Sequence, residues 1–125
     1  HTIDLGYCSN ISDEGVKALG GVHTINLMFT KVTDEGIKAL KGVYDINLTK
    51  TSVTQEGLKA IAGVHKINLT GCIVTDDGMK ELAGVHTIVL QYTNITDEGV
   101  KALAGVYDIN LSHCEHVTDE GVKAL

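Results

Sequence analysis

The sequence predicts an α/β solenoid, a stack of short strand–loop–helix coils, and three observations predict it. A Gly-Val pair recurs at Gly21, Gly42, Gly63, Gly84 and Gly105, each 21 residues after the last. Each pair opens an alternating stretch V-x-x-I-x-L, seen as VHTINL, VYDINL, VHKINL, VHTIVL and VYDINL. A second block of Ser/Thr, Asp/Gln, Asp/Glu and Gly begins at Ser12, Thr33, Thr54, Thr75, Thr96 and Thr118. Self-similarity at a fixed period of this length marks a repeat architecture. The chain therefore divides into coils 1–20, 21–41, 42–62, 63–83, 84–104 and 105–125 of one domain.

Within each coil, V-x-x-I-x-L alternates with period two over β-branched residues, the pattern of a short strand. The second block predicts a helix of about two turns. Ser or Thr supplies the N-cap, the acidic pair sits at the positive helix end, Lys follows, and Gly beyond ends the turn. Its apolar pairs are Val16/Leu19, Ile37/Leu40, Leu58/Ile61, Met79/Leu82, Val100/Leu103 and Val122/Leu125. One such coil cannot bury its own apolar face, so its stability must come from stacking on its neighbours. The expected core is a set of ladders: Ile3, Ile25, Ile46, Ile67, Ile88 and Ile109, then Leu5, Leu27, Leu48, Leu69, Leu90 and Leu111, then the helical pairs. Solenoids need polar capping repeats, and none is visible, so the expectation is a section of a longer repeat protein.

Composition narrows the function classes. The chain is 43% hydrophobic, carries a formal charge of −6, and has neither proline nor tryptophan. All ten of its basic residues are lysines. An acidic chain without arginine argues against nucleic acid, whose backbone demands a strongly positive face. No apolar run approaches the roughly 20 residues that span a bilayer. The glycines of the second block are no phosphate loop, because no Lys-Ser/Thr follows in the required spacing. No Ser-His-Asp or paired-carboxylate group converges, since His and Asp recur as ladders, and the expectation is a non-enzyme without cofactor.

The motif V-x-x-I-x-L-x-x-T/C, continued by V/I-T/S-D-E-G, resembles that of the leucine-rich repeat family over nearly the whole chain. The first and last coils, with Cys8-Ser9-Asn10-Ile11 and Cys114-Glu115-His116-Val117, are similar to the cysteine-containing subtype of F-box substrate receptors. The middle coils are one residue shorter, place Thr30, Thr51, Cys72 and Thr93 at the cysteine position, and resemble short repeats of bacterial, protist and large-virus proteins. The resemblance implies a curved solenoid, or horseshoe, with a parallel sheet on the concave side and short helices outside. It also implies a protein-binding role through the concave face. Two other roles stay open: end-to-end assembly of the repeats, and service as the substrate-recognition arm of a ubiquitin ligase.

Comparing equivalent positions between coils separates scaffold from candidate surface. Alternation assigns two nearly uniform columns to the concave face: His1, His23, Tyr44, His65, His86 and Tyr107, and Asp4, Asn26, Asn47, Asn68, Val89 and Asn110. Variation concentrates in the two positions after the leucine, which read Gly6-Tyr7, Met28-Phe29, Thr49-Lys50, Thr70-Gly71, Gln91-Tyr92 and Ser112-His113. The expected partner-binding strip is Tyr7, Met28, Phe29, Lys50, Gln91, Tyr92 and His113, with the aromatic residues as anchors.

Other signals read as scaffold. Cys8, Cys72 and Cys114 stand roughly 14 and 10 Å apart at strand spacing, too far for a disulfide, and are expected as buried free thiols. His113, Cys114, Glu115 and His116 offer metal-ligand types, yet the repeat frame turns Cys114 inward, so no metal is expected. Side by side, His65 and His86 read as part of a polar face. Sequons at Asn10, Asn47, Asn68, Asn94 and Asn110 would carry glycans in a secreted or surface protein. Glycans at Asn47 and Asn68 would crowd the strip, so the stacked asparagines read better as a side-chain amide ladder in an intracellular, cytoplasmic protein.

Overall fold

The computed structural model describes residues 1–125. Six strands, β1 (Thr2–Asp4), β2 (Thr24–Asn26), β3 (Asp45–Asn47), β4 (Lys66–Asn68), β5 (Thr87–Val89) and β6 (Asp108–Asn110), alternate with short helices. The helices are α1 (Asp13–Lys17), α2 (Asp34–Ile37), α3 (Gln55–Ala60), α4 (Asp76–Glu81), α5 (Asp97–Ala102) and α6 (Asp119–Lys123). They run to between 4 and 6 residues, shorter than the two turns that the pattern predicts. In α2 the remainder tightens into a 3-10 turn, Lys38–Leu40.

The strands form one sheet in chain order, every pair parallel. Register follows the repeat, with Ile3, Ile25, Ile46, Ile67, Ile88 and Ile109 opposite one another in turn. Ile25, Leu27, Ile46, Leu48, Ile67, Leu69, Ile88 and Leu90 are buried. They share one core with Ile37, Leu40, Leu58, Ile61, Met79, Leu82, Val100 and Leu103 from the helical side. The isoleucine, leucine and inner helical ladders therefore form, with Ile3, Leu5, Leu19, Ile109 and Leu111 only partly buried in the first and last coils. The last helical pair departs from the expectation: Val122 and Leu125 stand exposed, because no further coil stacks on that helix. The opposite face of the sheet is open, and Thr24, Asn26, Asp45, Asn47 and Asn68 lie there half-buried.

Neighbouring coils are also clamped by a polar contact that local capping rules do not reveal. The threonines stand at the helix N-cap with extended backbones, as expected, yet only Thr75 and Thr118 accept a bond from their own helix. Instead, the Thr33 N–H donates at 2.7 Å to Asp13 of the preceding coil, whose carboxylate also accepts from the Thr33 hydroxyl. The same pair joins Thr54 to Asp34, Thr96 to Asp76 and Thr118 to Asp97. Gln55 interrupts the series, and Thr75 turns to cap the Gly78 N–H at 3.0 Å.

The carboxylates respond to these bonds. Burial pushes the Asp13 carboxyl upward, but the Thr33 hydroxyl and N–H, the Gly36 N–H and Lys17 outweigh it and hold the group below the usual range. At Asp97 the Thr118 hydroxyl and then the Thr118 N–H dominate, with the same net direction. The clamp also explains the glycine of the T-D-E-G block. A Cβ at Gly36, Gly99 or Gly121 would lie 2.5 Å from the Oδ1 of Asp13, Asp76 or Asp97. Close approach of adjacent turns is what those glycines permit.

Candidate protein-interaction site

Just past each strand the chain must turn sharply out of the sheet. The residue that does so in each coil is Tyr7, Phe29, Lys50, Gly71, Tyr92 or His113, and all six have φ between 56 and 69°. That is the left-handed region, where glycine is the low-cost residue. Their backbones are fixed in parallel: the N–H groups of Tyr7, Phe29, Lys50, Gly71 and Tyr92 donate to the carbonyls of Met28, Thr49, Thr70, Gln91 and Ser112 in the next coil, at 2.8 to 3.2 Å. The side chains therefore project from one edge of the sheet in register.

The structure brings most of the expected strip together, in two groups. Tyr7 stacks on Phe29 with ring centroids 4.7 Å apart, and Tyr92 stacks on His113 at 4.3 Å. Tyr7 is 67% exposed and Tyr92 60%, so both stacks present ring surface to solvent. Met28 is half-buried beside them, reaching over Gly6, where a Cβ would meet its Cγ at 3.1 Å. Gln91 is half-buried next to Tyr92, and Lys50 is exposed between the two groups. Sequence reasoning passed over Ile73, which is 85% exposed two residues beyond Gly71. An aliphatic residue there breaks a column otherwise made of Lys31, Ser52 and Asn94, and that contrast between copies was the available signal.

Three placements differ from the sequence reading. The column of His23, Tyr44, His65, His86 and Tyr107 precedes the strands and lies along the other edge of the sheet, since β2 begins only at Thr24. Its rings form a continuous stack with centroid separations of 4.5 to 4.7 Å. The asparagines make no amide ladder: the Oδ1 atoms of Asn26, Asn47, Asn68 and Asn110 accept the N–H two residues on, closing each strand-end turn. Cys8 is exposed, whereas Cys72 and Cys114 are buried and donate to the carbonyls of Leu48 and Leu90. Burial, opposed by bonds from Thr51, pushes the Cys72 thiol above its ordinary range.

Among the sequons, Asn10 and Asn94 are exposed, and the Asn94 Oδ1 accepts the Val74 N–H at 2.9 Å. No helix is long and apolar enough to cross a membrane.

The same period is recognised from outside. A family model described as leucine-rich repeat matches residues 1–20, 22–41, 64–83, 85–104 and 108–125. The chain belongs to the leucine-rich repeat family. The third coil falls outside those matches, yet the structure gives it the same strand, turn and helix as its neighbours. Among solved structures, this leucine-rich repeat chain is similar to internalin C2 from Listeria monocytogenes, with a TM-score of 0.65 at 16% identity. That likeness, which shows the fold alone, covers 89% of this chain and 50% of the internalin chain. The repeats thus span half the length of that relative. No curated protein matches the sequence.

Proposed function

We propose that these leucine-rich repeats bind a protein partner along the concave, open side of the sheet, through the strip formed by Tyr7, Met28, Phe29, Lys50, Gln91, Tyr92 and His113. One observation carries the reading. The turn needs a left-handed residue in every coil, and glycine would serve in all of them, as Gly71 does. Five of the six positions instead hold Tyr, Phe, Lys, Tyr and His, each at a backbone cost on the order of 1 kcal/mol. Folding gains little from rings that stay exposed, so the benefit lies in what they meet. Rigid aromatic residues supply large contact area at low entropic cost, which suits protein recognition. Six strands at roughly 4.8 Å spacing make an edge on the order of 25 Å long, the span of one side of a modest interface.

The test places a photo-cross-linking phenylalanine at Tyr92 in one preparation and at Tyr107, on the other edge, in a second. The expected result is a covalent adduct with the protein's partner from the Tyr92 position and none from Tyr107. Adducts from Tyr107 alone would move the interface to the opposite edge and sink the proposal.

A further inference from the structure

The strip has a vacancy in its middle. Counting along the left-handed column, Tyr7 and Phe29 stack, Lys50 follows, Gly71 carries no side chain, and Tyr92 and His113 stack again. The Gly71 backbone is the same as its neighbours', with φ of 69° and its N–H bonded to the Gln91 carbonyl at 2.8 Å. A ring at this level would therefore fall in register between Lys50 and Tyr92, which lie two strand spacings, or roughly 9.6 Å, apart. That gap accommodates one planar group, given that rings in this protein stack 4.3 to 4.7 Å apart. His113 occupies one face of Tyr92, and no ring covers the face turned toward Gly71.

The vacancy is covered rather than filled. The Lys50 stem lies over Gly71, so that a Cβ there would meet the Lys50 Cε at 2.5 Å and its Nζ at 3.1 Å. Lys50 is exposed, makes no ion pair, and can swing away on its flexible stem. Beside the vacancy, Gly71, Cys72, Ile73, Tyr92 and His113 line a shallow hollow, with the exposed Ile73 as an aliphatic wall.

We infer that the gap at Gly71 is the anchor slot of the strip and takes an aromatic side chain of the partner, next to a carboxylate in the partner's sequence. The inserted ring stacks on Tyr92 and completes the column. The displaced Lys50 ammonium pairs with the carboxylate, and stacking against a ring favours a cation at that distance as well. An acidic neighbour beside the ring meets Lys50, the one lysine among the left-handed positions, although Glu115 also lines the hollow. This inference rests on the strip reading above and names the chemistry that the strip selects.

The experiment pans random 12-residue peptides displayed on phage against the intact protein, then measures the enriched peptides on variants. Peptides carrying an aromatic residue beside Asp or Glu are the expected product. Gly71→Tyr fills the slot with the residue that Tyr7 and Tyr92 already place in this backbone, and is expected to weaken these peptides about tenfold or more. Tyr92→Leu, which keeps an apolar side chain without a ring, is expected to do the same, and Lys50→Met to weaken binding severalfold only for peptides with the acidic neighbour. Peptides that lack the aromatic–acidic pair, or that bind Gly71→Tyr and Tyr92→Leu as tightly as wild type, overturn the slot. Should those peptides still lose affinity on Tyr7→Ser or Phe29→Ser, the strip reading survives the loss of the slot. Indifference to Gly71→Tyr, Tyr92→Leu, Tyr7→Ser and Phe29→Ser alike removes both.

Discussion

Replacing Gly99 with Ala puts a methyl group where the clamp between the fourth and fifth coils closes. The new Cβ would stand 2.5 Å from Asp76 Oδ1 and 2.5 Å from Ile95 Cγ1, about 1 Å inside ordinary contact. Asp76 cannot retreat freely, because it holds the Thr96 N–H at 3.0 Å and the Thr96 hydroxyl at 2.6 Å. Overpacking costs about 1–3 kcal/mol, and weakening two charge-assisted bonds to a half-exposed carboxylate adds about 1 kcal/mol. Alanine returns about 1 kcal/mol of helix propensity. The net expectation is a destabilisation of about 1–3 kcal/mol. Gly15 holds the same place in the first coil, and its nearest neighbour would be Ile11 Cδ1 at 3.9 Å. Gly15→Ala therefore keeps only the propensity term and is expected to stabilise by up to about 1 kcal/mol. Urea unfolding, with equal m values required for a fair comparison, reads both. Equal effects of the two substitutions would refute the clamp as the reason for the glycine.

The break in the clamp at Gln55 gives the converse experiment. Gln55→Asp supplies the missing acceptor for Thr75 and is expected to raise stability by about 1 kcal/mol, seen as a higher urea midpoint; no change would show that Thr75 is already satisfied by Gly78. Acid sensitivity follows from Asp13 and Asp97, both held below the ordinary value of 3.8. Their folded forms bind protons less readily than the unfolded chain, so their contribution is complete above that value and fades as pH falls through the lower folded range. Stability measured from pH 6 down to pH 2 should thus hold and then drop, and Asp97→Asn should make the drop shallower. Alkylation of the native protein at neutral pH should label Cys8 first and leave Cys72 and Cys114 protected until unfolding, as peptide mapping by mass spectrometry would show.

Much of the fold was legible because the period is strict. Once Gly21 to Gly105 set the frame, the isoleucine and leucine ladders, the parallel register and the threonine N-cap positions followed from stacking alone. The misread features are those in which a residue's partner lies a full coil away, or an element is too short for its rule. Alternation placed the His23 column on the open face because it assumed a strand running from Val22, whereas the strand starts at Thr24 and His23 still belongs to the turn. The Thr33 hydroxyl bonds Asp13, 20 residues earlier, a choice that capping preferences within one helix cannot express. Its trace was present all the same, since Gln55 is the one non-acidic residue at the Asp13 position. In the strip, Tyr7, Phe29 and Tyr92 stood out by variation between coils. The left-handed backbone beneath them did not, because only Gly71 among the six advertises it.

The most direct test of the account compares two tyrosines of similar chemistry on opposite edges of the sheet, Tyr92 in the strip, stacked on His113, and Tyr107 at the end of the other ring stack. Titration calorimetry of the partner recovered by cross-linking should show Tyr92→Ser weakening binding by about 2 kcal/mol or more, with Tyr107→Ser within about 0.5 kcal/mol of wild type. The reverse pattern, or equal losses from both, would contradict the assignment of recognition to the left-handed strip.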